Sequence, residues 1–280
     1  MERLRVAILL CVTSAACADP DATEPLAEAP RLAIESGVSV RGAGPEQQWE
    51  GIVMTRWMVN EREAEVCTAS FISDRYLITA AHCYPKNGPQ KISVRAPSWN
   101  GNAWQPFDAI VHRASSDVSV DMAVVDLGAP QEWATPARRF RLHAGKPGPA
   151  DLHLYGYGGR KEEQPDIDGT LRAAPGGATV RVRDAGRGFL SAVAGAARMC
   201  GGDSGGPAIR EGTQPVIWGV FSAFSNSITR ILRDPDRVCP DPGADLRFAS
   251  VSASLPFIER SIGKPCTRVE VDGQPIAQCW

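Results

Sequence analysis

Four glycines in the seven residues Gly201-Gly202-Asp203-Ser204-Gly205-Gly206-Pro207, preceded by Cys200, constrain this chain more than any other stretch. Glycine reaches backbone conformations closed to residues with a Cβ, so the run reads as a tight turn carrying a serine. Such a turn can aim consecutive N–H groups at one point, which is what a developing oxyanion requires. Asp203 can accept a hydrogen bond or an ion pair that fixes the turn. A serine alone is a poor nucleophile; it needs a base in contact, and the base needs an orienting group. A chain that uses Ser204 in this way must supply a histidine and a carboxylate elsewhere.

Candidates for both are present. His82 ends an apolar run that starts at Ala69, within Leu77-Ile78-Thr79-Ala80-Ala81-His82-Cys83. Asp121 opens Asp121-Met122-Ala123-Val124-Val125-Asp126-Leu127, a short β-branched run that reads as a strand. A carboxylate at the mouth of a buried strand is costly unless hydrogen-bonded, and a histidine N–H would serve. Asp117 and Asp126 are nearby rivals for that role. His112, His143 and His153 lack ligand-like spacing and read as structural.

Together these stretches resemble the chymotrypsin-like, trypsin-fold (S1-type) serine peptidases. Thr79–Cys83 is similar to the family's histidine motif, Asp121–Leu127 to its aspartate motif, and Gly202–Pro207 to its serine motif. The order His, Asp, Ser is the family's own. The resemblance runs from about Ile34 to Gly263. It implies an all-β fold of two six-stranded antiparallel Greek-key β-barrels with a short C-terminal helix. Separations of 39 residues from His82 to Asp121 and 83 from Asp121 to Ser204 suit two such barrels. It also implies roles: Ser204 as nucleophile, His82 as base and acid, Asp121 as orienter, and the amides of Gly202 and Ser204 as oxyanion hole. Losing one oxyanion donor typically costs about 3 kcal/mol.

Composition agrees with a turn-rich globular chain. Apolar residues make up 43% of the 280, and 27 Gly with 22 Pro favour strands and turns over helices. A formal net charge of −2 points to no polyanion or membrane-surface partner. The eight cysteines point outside the reducing cytosol. By the resemblance, Cys67 and Cys83 bracket the histidine loop, and Cys200 and Cys239 join two walls of the substrate pocket. Cys266 and Cys279 lie beyond the family's usual end and are expected to pair with each other.

Residues 1–16 read as an export signal, with Arg3 and Arg5 before the apolar run Val6–Val12. That run is too short to span a bilayer. Cleavage before Cys17 would resemble a bacterial lipoprotein signal, with Ser14 where Leu is usual and Cys17 lipidated. Removal of Cys11 then leaves seven cysteines, of which three pairs use six. Ordinary cleavage after Ala18 also leaves an even number. The expected locations are extracellular, periplasmic or lipid-anchored at the outer cell envelope. Residues 17–33 are rich in Ala, Pro, Asp and Glu and read as a disordered tether or propeptide. In the family, a freed Ile or Val amino group pairs with the aspartate before the serine, here Asp203. Ile34 is the chosen N-terminus, with Val38 and Val40 as alternatives; none carries the usual two glycines.

Strands are expected at 51–60, 67–72, 76–79, 91–95, 109–112 and 118–127 in a first barrel covering about 34–128. Residues 128–143 read as the crossing to a second barrel covering about 144–253. There, Leu152–Gly158 opens the barrel with Tyr157 in place of the family's usual aromatic, Thr179–Val182 is a strand, and Val216–Phe224 is a cleft wall. A helix is expected at 254–262, with Ser254 as cap, Pro256 in the first turn and Gly263 at the end. Residues 264–280 are an added tail, with alternation about Asp272-Gly273 suggesting a hairpin closed by Cys266 and Cys279.

Substrate choice rests on Arg198, six residues before the serine, where trypsins carry an aspartate. It would repel Lys and Arg. Either it faces the pocket and favours acidic side chains, or it pairs with a carboxylate or points outward. Phe224 falls where the family places a cleft-lining glycine and could narrow the entrance. Ser222 matches the serine beside the family's buried aspartate. The leading reading is an exported serine endopeptidase with non-trypsin-like specificity. Its partners are a protein or peptide substrate and an activating protease; no nucleic acid, cofactor or metal is implied, and membrane contact only through Cys17. The alternatives are a catalytically silent binding module on the same fold, or an esterase.

Overall fold

The computed structural model describes residues 38–39, 49–60, 64–96, 103–114, 120–158, 169–225 and 239–280. The chain separates into two units, Met1–Arg31 and Leu32–Trp280, and every described residue belongs to the second. The signal and tether, Cys11, Cys17, Ile34, Val40 and Asp117 lie outside the described residues.

A two-residue strand, β1 (Val38–Ser39), precedes six strands that close on themselves. These are β2 (Ile52–Met58), β3 (Ala64–Phe71), β4 (Tyr76–Thr79), β5 (Gly88–Arg95), β6 (Gln105–Arg113) and β7 (Ala123–Asp126). Their order is β2-β3-β4-β7-β6-β5, with β5 paired back to β2. β5 shows why such a sequence closes a barrel. Ile92 and Val94 face inward while Lys91 and Ser93 are more exposed, the period-2 alternation of a half-buried strand.

The remaining strands are β8 (Arg141–His143), β9 (Ala150–Gly156), β10 (Arg172–Ala173), β11 (Val180–Gly186), β12 (Phe189–Val193), β13 (Pro207–Arg210), β14 (Val216–Ser225) and β15 (Asp245–Ser250). β9-β11-β12-β15-β14 run side by side, and β13 pairs with both β14 and β9, closing a second six-stranded antiparallel ring. The residues between the barrels are not only a crossing: β8 pairs in parallel with β14. The other side of β8 takes up the tail hairpin, β16 (Thr267–Val271) and β17 (Gln274–Gln278). Asp272 and Gly273 turn that hairpin with φ of 50° and 71°, as a type I′ turn requires, and Cys266–Cys279 closes its base.

The helix α1 (Val251–Ile262) begins three residues earlier than the sequence suggests. Ser250 caps it, accepting from the Ala253 N–H, because β15 runs straight into the helix at that buried serine. Ser254 instead donates backward to the Ser250 carbonyl at 2.8 Å, and Pro256 lies inside the helix on its exposed side. Val251, Leu255, Ile258 and Ile262 form one apolar stripe, packed into the core that holds Ile52, Ile78 and Val124. Gly263 ends the helix at φ 74°.

Candidate active site

β4 delivers the histidine. Past Thr79 the chain turns through a short 3-10 segment, Ala81–Cys83, and the Cys67–Cys83 disulfide ties this turn to β3. Asp121 precedes β7, which lies beside β4, so the two residues meet at one barrel end. The Asp121 Oδ2 accepts from the His82 Nδ1 at 2.6 Å and from the Ser222 hydroxyl at 2.8 Å; Oδ1 accepts the His82 backbone N–H at 2.8 Å. Burial works to raise the Asp121 carboxyl. The hydrogen bonds from His82 and Ser222, with the attraction of the imidazole, outweigh burial and hold it below its ordinary value. The rival Asp126 is engaged elsewhere: it accepts from Arg75 Nη2 at 2.7 Å and from the Gly128 N–H at 2.8 Å.

The serine turn is held from both barrels. The Ser204 carbonyl accepts the Thr68 N–H at 2.8 Å and lies 3.8 Å from Cys83 Sγ, next to His82. The Thr68 hydroxyl donates to the Gly202 carbonyl at 3.0 Å and accepts the Tyr157 N–H at 3.1 Å. Gly205 has φ 81°, and a Cβ there would lie 2.0 Å from the Thr79 hydroxyl oxygen, so this position demands glycine. The amides of Cys200, Asp203, Gly205 and Gly206 are all spent inside the protein. Those of Gly201, Gly202 (φ 89°) and Ser204 donate to no acceptor among the described residues. The unspent N–H groups of Gly202 and of the half-buried Ser204 itself are of the kind that an oxyanion site supplies.

Asp203 lies beneath this turn, fully buried. Its carboxylate accepts from the Gly158 N–H at 2.6 Å and the Cys200 N–H at 2.7 Å. Arg172, itself buried, donates to the Gly158 and Thr170 carbonyls at 3.3 and 3.2 Å. Burial pushes the Asp203 carboxyl up to about 6, against the two N–H donors and the attraction of Arg172. Its folded value therefore exceeds the ordinary 3.8. The group favours folding below pH ~4, and that advantage, about 3 kcal/mol, is lost as pH rises to ~6. Urea unfolding of the uncleaved chain and its Asp203→Asn variant should show the stability difference moving toward the Asn variant by roughly that amount between pH 4 and 7. A difference independent of pH would refute it.

The other expected residues also have places. Arg198 is 5% exposed and donates to the Pro240 carbonyl at 3.0 Å, so it does not point outward. Phe224 is half-buried against the second barrel's core, opposite Leu246. Cys200 and Cys239 are bridged. Tyr157 is buried and its hydroxyl donates to the Ile52 carbonyl at 2.8 Å. His143, on β8, is buried and stacked on Trp218, and His153, on β9, lies 3.5 Å from Glu211; neither is bonded to His82. Cys67, His82 and Cys83 cluster closely enough to hold a metal ion, but both sulfurs are committed to the disulfide. Thr68 and Arg172 belong to no motif; the one sequence sign of Thr68 is a hydroxyl side chain within the run that forms β3.

Two closed six-stranded barrels, with His82 bonded to Asp121 and the serine turn pinned to Thr68 beside Cys83, define the chymotrypsin-like fold; among the described residues no hydrogen bond joins the His82 ring to the Ser204 hydroxyl. The chain matches the family model for trypsin over residues 45–231, two thirds of its length, and it belongs to the trypsin family. It thus carries a domain of the serine-protease type. No curated protein matches it significantly in sequence.

Proposed function

We propose that this chain is an exported serine endopeptidase acting through Ser204, His82 and Asp121. Ser204 Oγ attacks the substrate carbonyl while His82 takes its proton. The tetrahedral oxyanion is held by the Gly202 and Ser204 amides. His82 returns the proton to the departing amine, leaving an acyl-enzyme that water then hydrolyses by the same steps. Asp121 fixes the imidazole with Nδ1–H toward it and stabilises the imidazolium. The observation that carries this reading is the Asp121 carboxylate, bonded at once to the His82 ring, the His82 amide and the Ser222 hydroxyl. Treating the processed protein with a fluorophosphonate probe tests it. Labelling that vanishes in Ser204→Ala is expected; no labelling of folded, processed protein overturns it.

Export is supported by the N-terminal signal pattern and by three disulfides, which persist in oxidising compartments. Lipidation of Cys17 and release of an Ile34 amino group toward Asp203 by an activating protease belong to the same reading. β1 supports the latter: Val38–Ser39 pairs with Arg172–Ala173 beside Asp203's surroundings, four residues past Ile34. Mass spectrometry reads lipidation at the N-terminal Cys17 of the precursor and activation at the Ile34 N-terminus of the processed chain. Specificity is read as not trypsin-like, because the resemblance puts Arg198 at the position where trypsins carry the aspartate that attracts Lys or Arg. Peptides with Lys or Arg before the scissile bond should be cleaved at least about 100-fold less efficiently than the best substrate of a peptide library. Cleavage of those peptides at trypsin-like kcat/KM would sink this specificity.

A further inference from the structure

On the outside of the second barrel, four strands carry one cross-strand row. Arg183 of β11 opposes Ser191 of β12, Ser191 opposes Arg247 of β15, and Arg247 opposes Ala223 of β14. Directly opposed residues share a face of the sheet. Beside the row lies a pocket of about 440 Å³, lined by Arg187, Phe189, Ser191, Asp245 and Arg247, among others. The Ser191 hydroxyl accepts from Arg183 Nε at 3.1 Å and donates to nothing among the described residues, so its proton is left for a ligand. Arg183, Arg187 and Arg247 form no ion pair with a carboxylate among the described residues. Asp245 is the one acid in the lining, and it too is unpaired there. Within the lining, the two guanidinium groups of Arg187 and Arg247 against the one carboxylate of Asp245 leave the pocket net cationic, and Arg183 adds its charge from beside Ser191.

Two further features make this a built site. Arg187 sits at φ 52°, in a turn flanked by Gly186 and Gly188, where glycine would be cheaper by roughly 1–2 kcal/mol. The row also reaches the candidate active site: Ala223 follows Ser222, whose hydroxyl holds Asp121. Ala223, Arg247 and Ser191 lie on three neighbouring strands, so Ser191 is about 10 Å across the sheet from Ala223, or about three residues of extended peptide.

We propose that this pocket is a subsite for an acidic side chain of the peptide substrate, a few residues from the scissile bond, bound by Arg187, Arg247 and Ser191. The proposal rests on the endopeptidase reading, and its test separates the two. Paired peptides carrying Glu or Gln, scanned through five positions on either side of a cleavage site, are compared by kcat/KM. Glu at one position is expected to be favoured about tenfold, mainly through KM, and less so in 1 M NaCl. In the Arg187→Gln/Arg247→Gln double variant, whose fold is checked by thermal melting, the ratio should fall to about one. Arg181→Gln removes a charge from the same strand but from an ion pair with Asp151, and should keep the preference. Equal cleavage of Glu and Gln peptides at every position overturns the proposal, as does a preference that survives the double variant. Binding of a fluorescent Glu peptide to Ser204→Ala protein is scored by anisotropy. Binding that needs the two arginines, without cleavage by wild type, keeps the pocket and discards proteolysis; binding that ignores them overturns the pocket.

Discussion

Ser204→Ala should lower kcat/KM by about 10⁵- to 10⁶-fold and leave the fold intact. The turn owes its shape to backbone contacts that alanine keeps: the Ser204 carbonyl with the Thr68 N–H, the Gly205 N–H with the Phe221 carbonyl, and the Gly206 N–H with the Asp203 carbonyl. Thermal stability should therefore shift by no more than about 1 kcal/mol. His82→Ala should cost about as much in rate, because a hydroxyl without a base is inert at neutral pH. Asp121→Asn should cost about 10⁴-fold, since an amide favours the wrong imidazole tautomer. Combining the first two should add little, for groups that act as one unit are not additive. Steady-state kinetics on a peptide found by library screening measures all four. Ser204→Ala activity within tenfold of wild type would remove Ser204 from the mechanism.

Gly158→Ala should lower stability by about 3 kcal/mol or more and activity by at least about 100-fold. A Cβ at Gly158 would lie 2.4 Å from the Asp203 carboxylate, and one at Gly156 would lie 2.0 Å from Oδ1. Asp203 is fully buried and cannot swing into solvent. It must either lose the N–H donors of Gly158 and Cys200 or drag the serine turn with it. Either outcome moves the Gly202 and Ser204 amides, and a small displacement of oxyanion donors is expensive. Gly195→Ala is the control: nothing lies within 4 Å of its added methyl, so stability should change by less than about 1 kcal/mol. Thermal melts and fluorophosphonate labelling rates read both effects. Full activity in Gly158→Ala would show that the turn does not depend on this carboxylate.

Much of this was legible along the chain because it is local. Residues such as those in Ala123–Asp126 and Val216–Ser225 have the β-branched and aromatic character that a pleated, buried surface selects. Asp272-Gly273 states its own turn. The serine turn advertises itself through glycine, since Gly205 has no space for a side chain. Local signals also misled. Ser254, followed by Pro256, looks like a helix start, yet the cap is Ser250, because the strand that feeds the helix ends there. Nothing within Arg141–His143 announces that β14 and β17 will take it as a neighbour.

The sequence by itself determined the order of chemistry-bearing motifs, the family to which they belong, the turn chemistry and the alternating strands that make two barrels. These depend on residue type and short spacing, which act over a few residues. Only the tertiary structure decided that Asp121, and not Asp126, meets His82, and that Thr68 ties barrel one to the serine turn. It also decided that Arg172 and Asp203 share one buried region, and that Arg183, Arg187 and Arg247 converge beside one pocket. Each of these depends on strand register and burial, through which residues distant in sequence come within hydrogen-bonding range in a medium where an unpaired charge is costly.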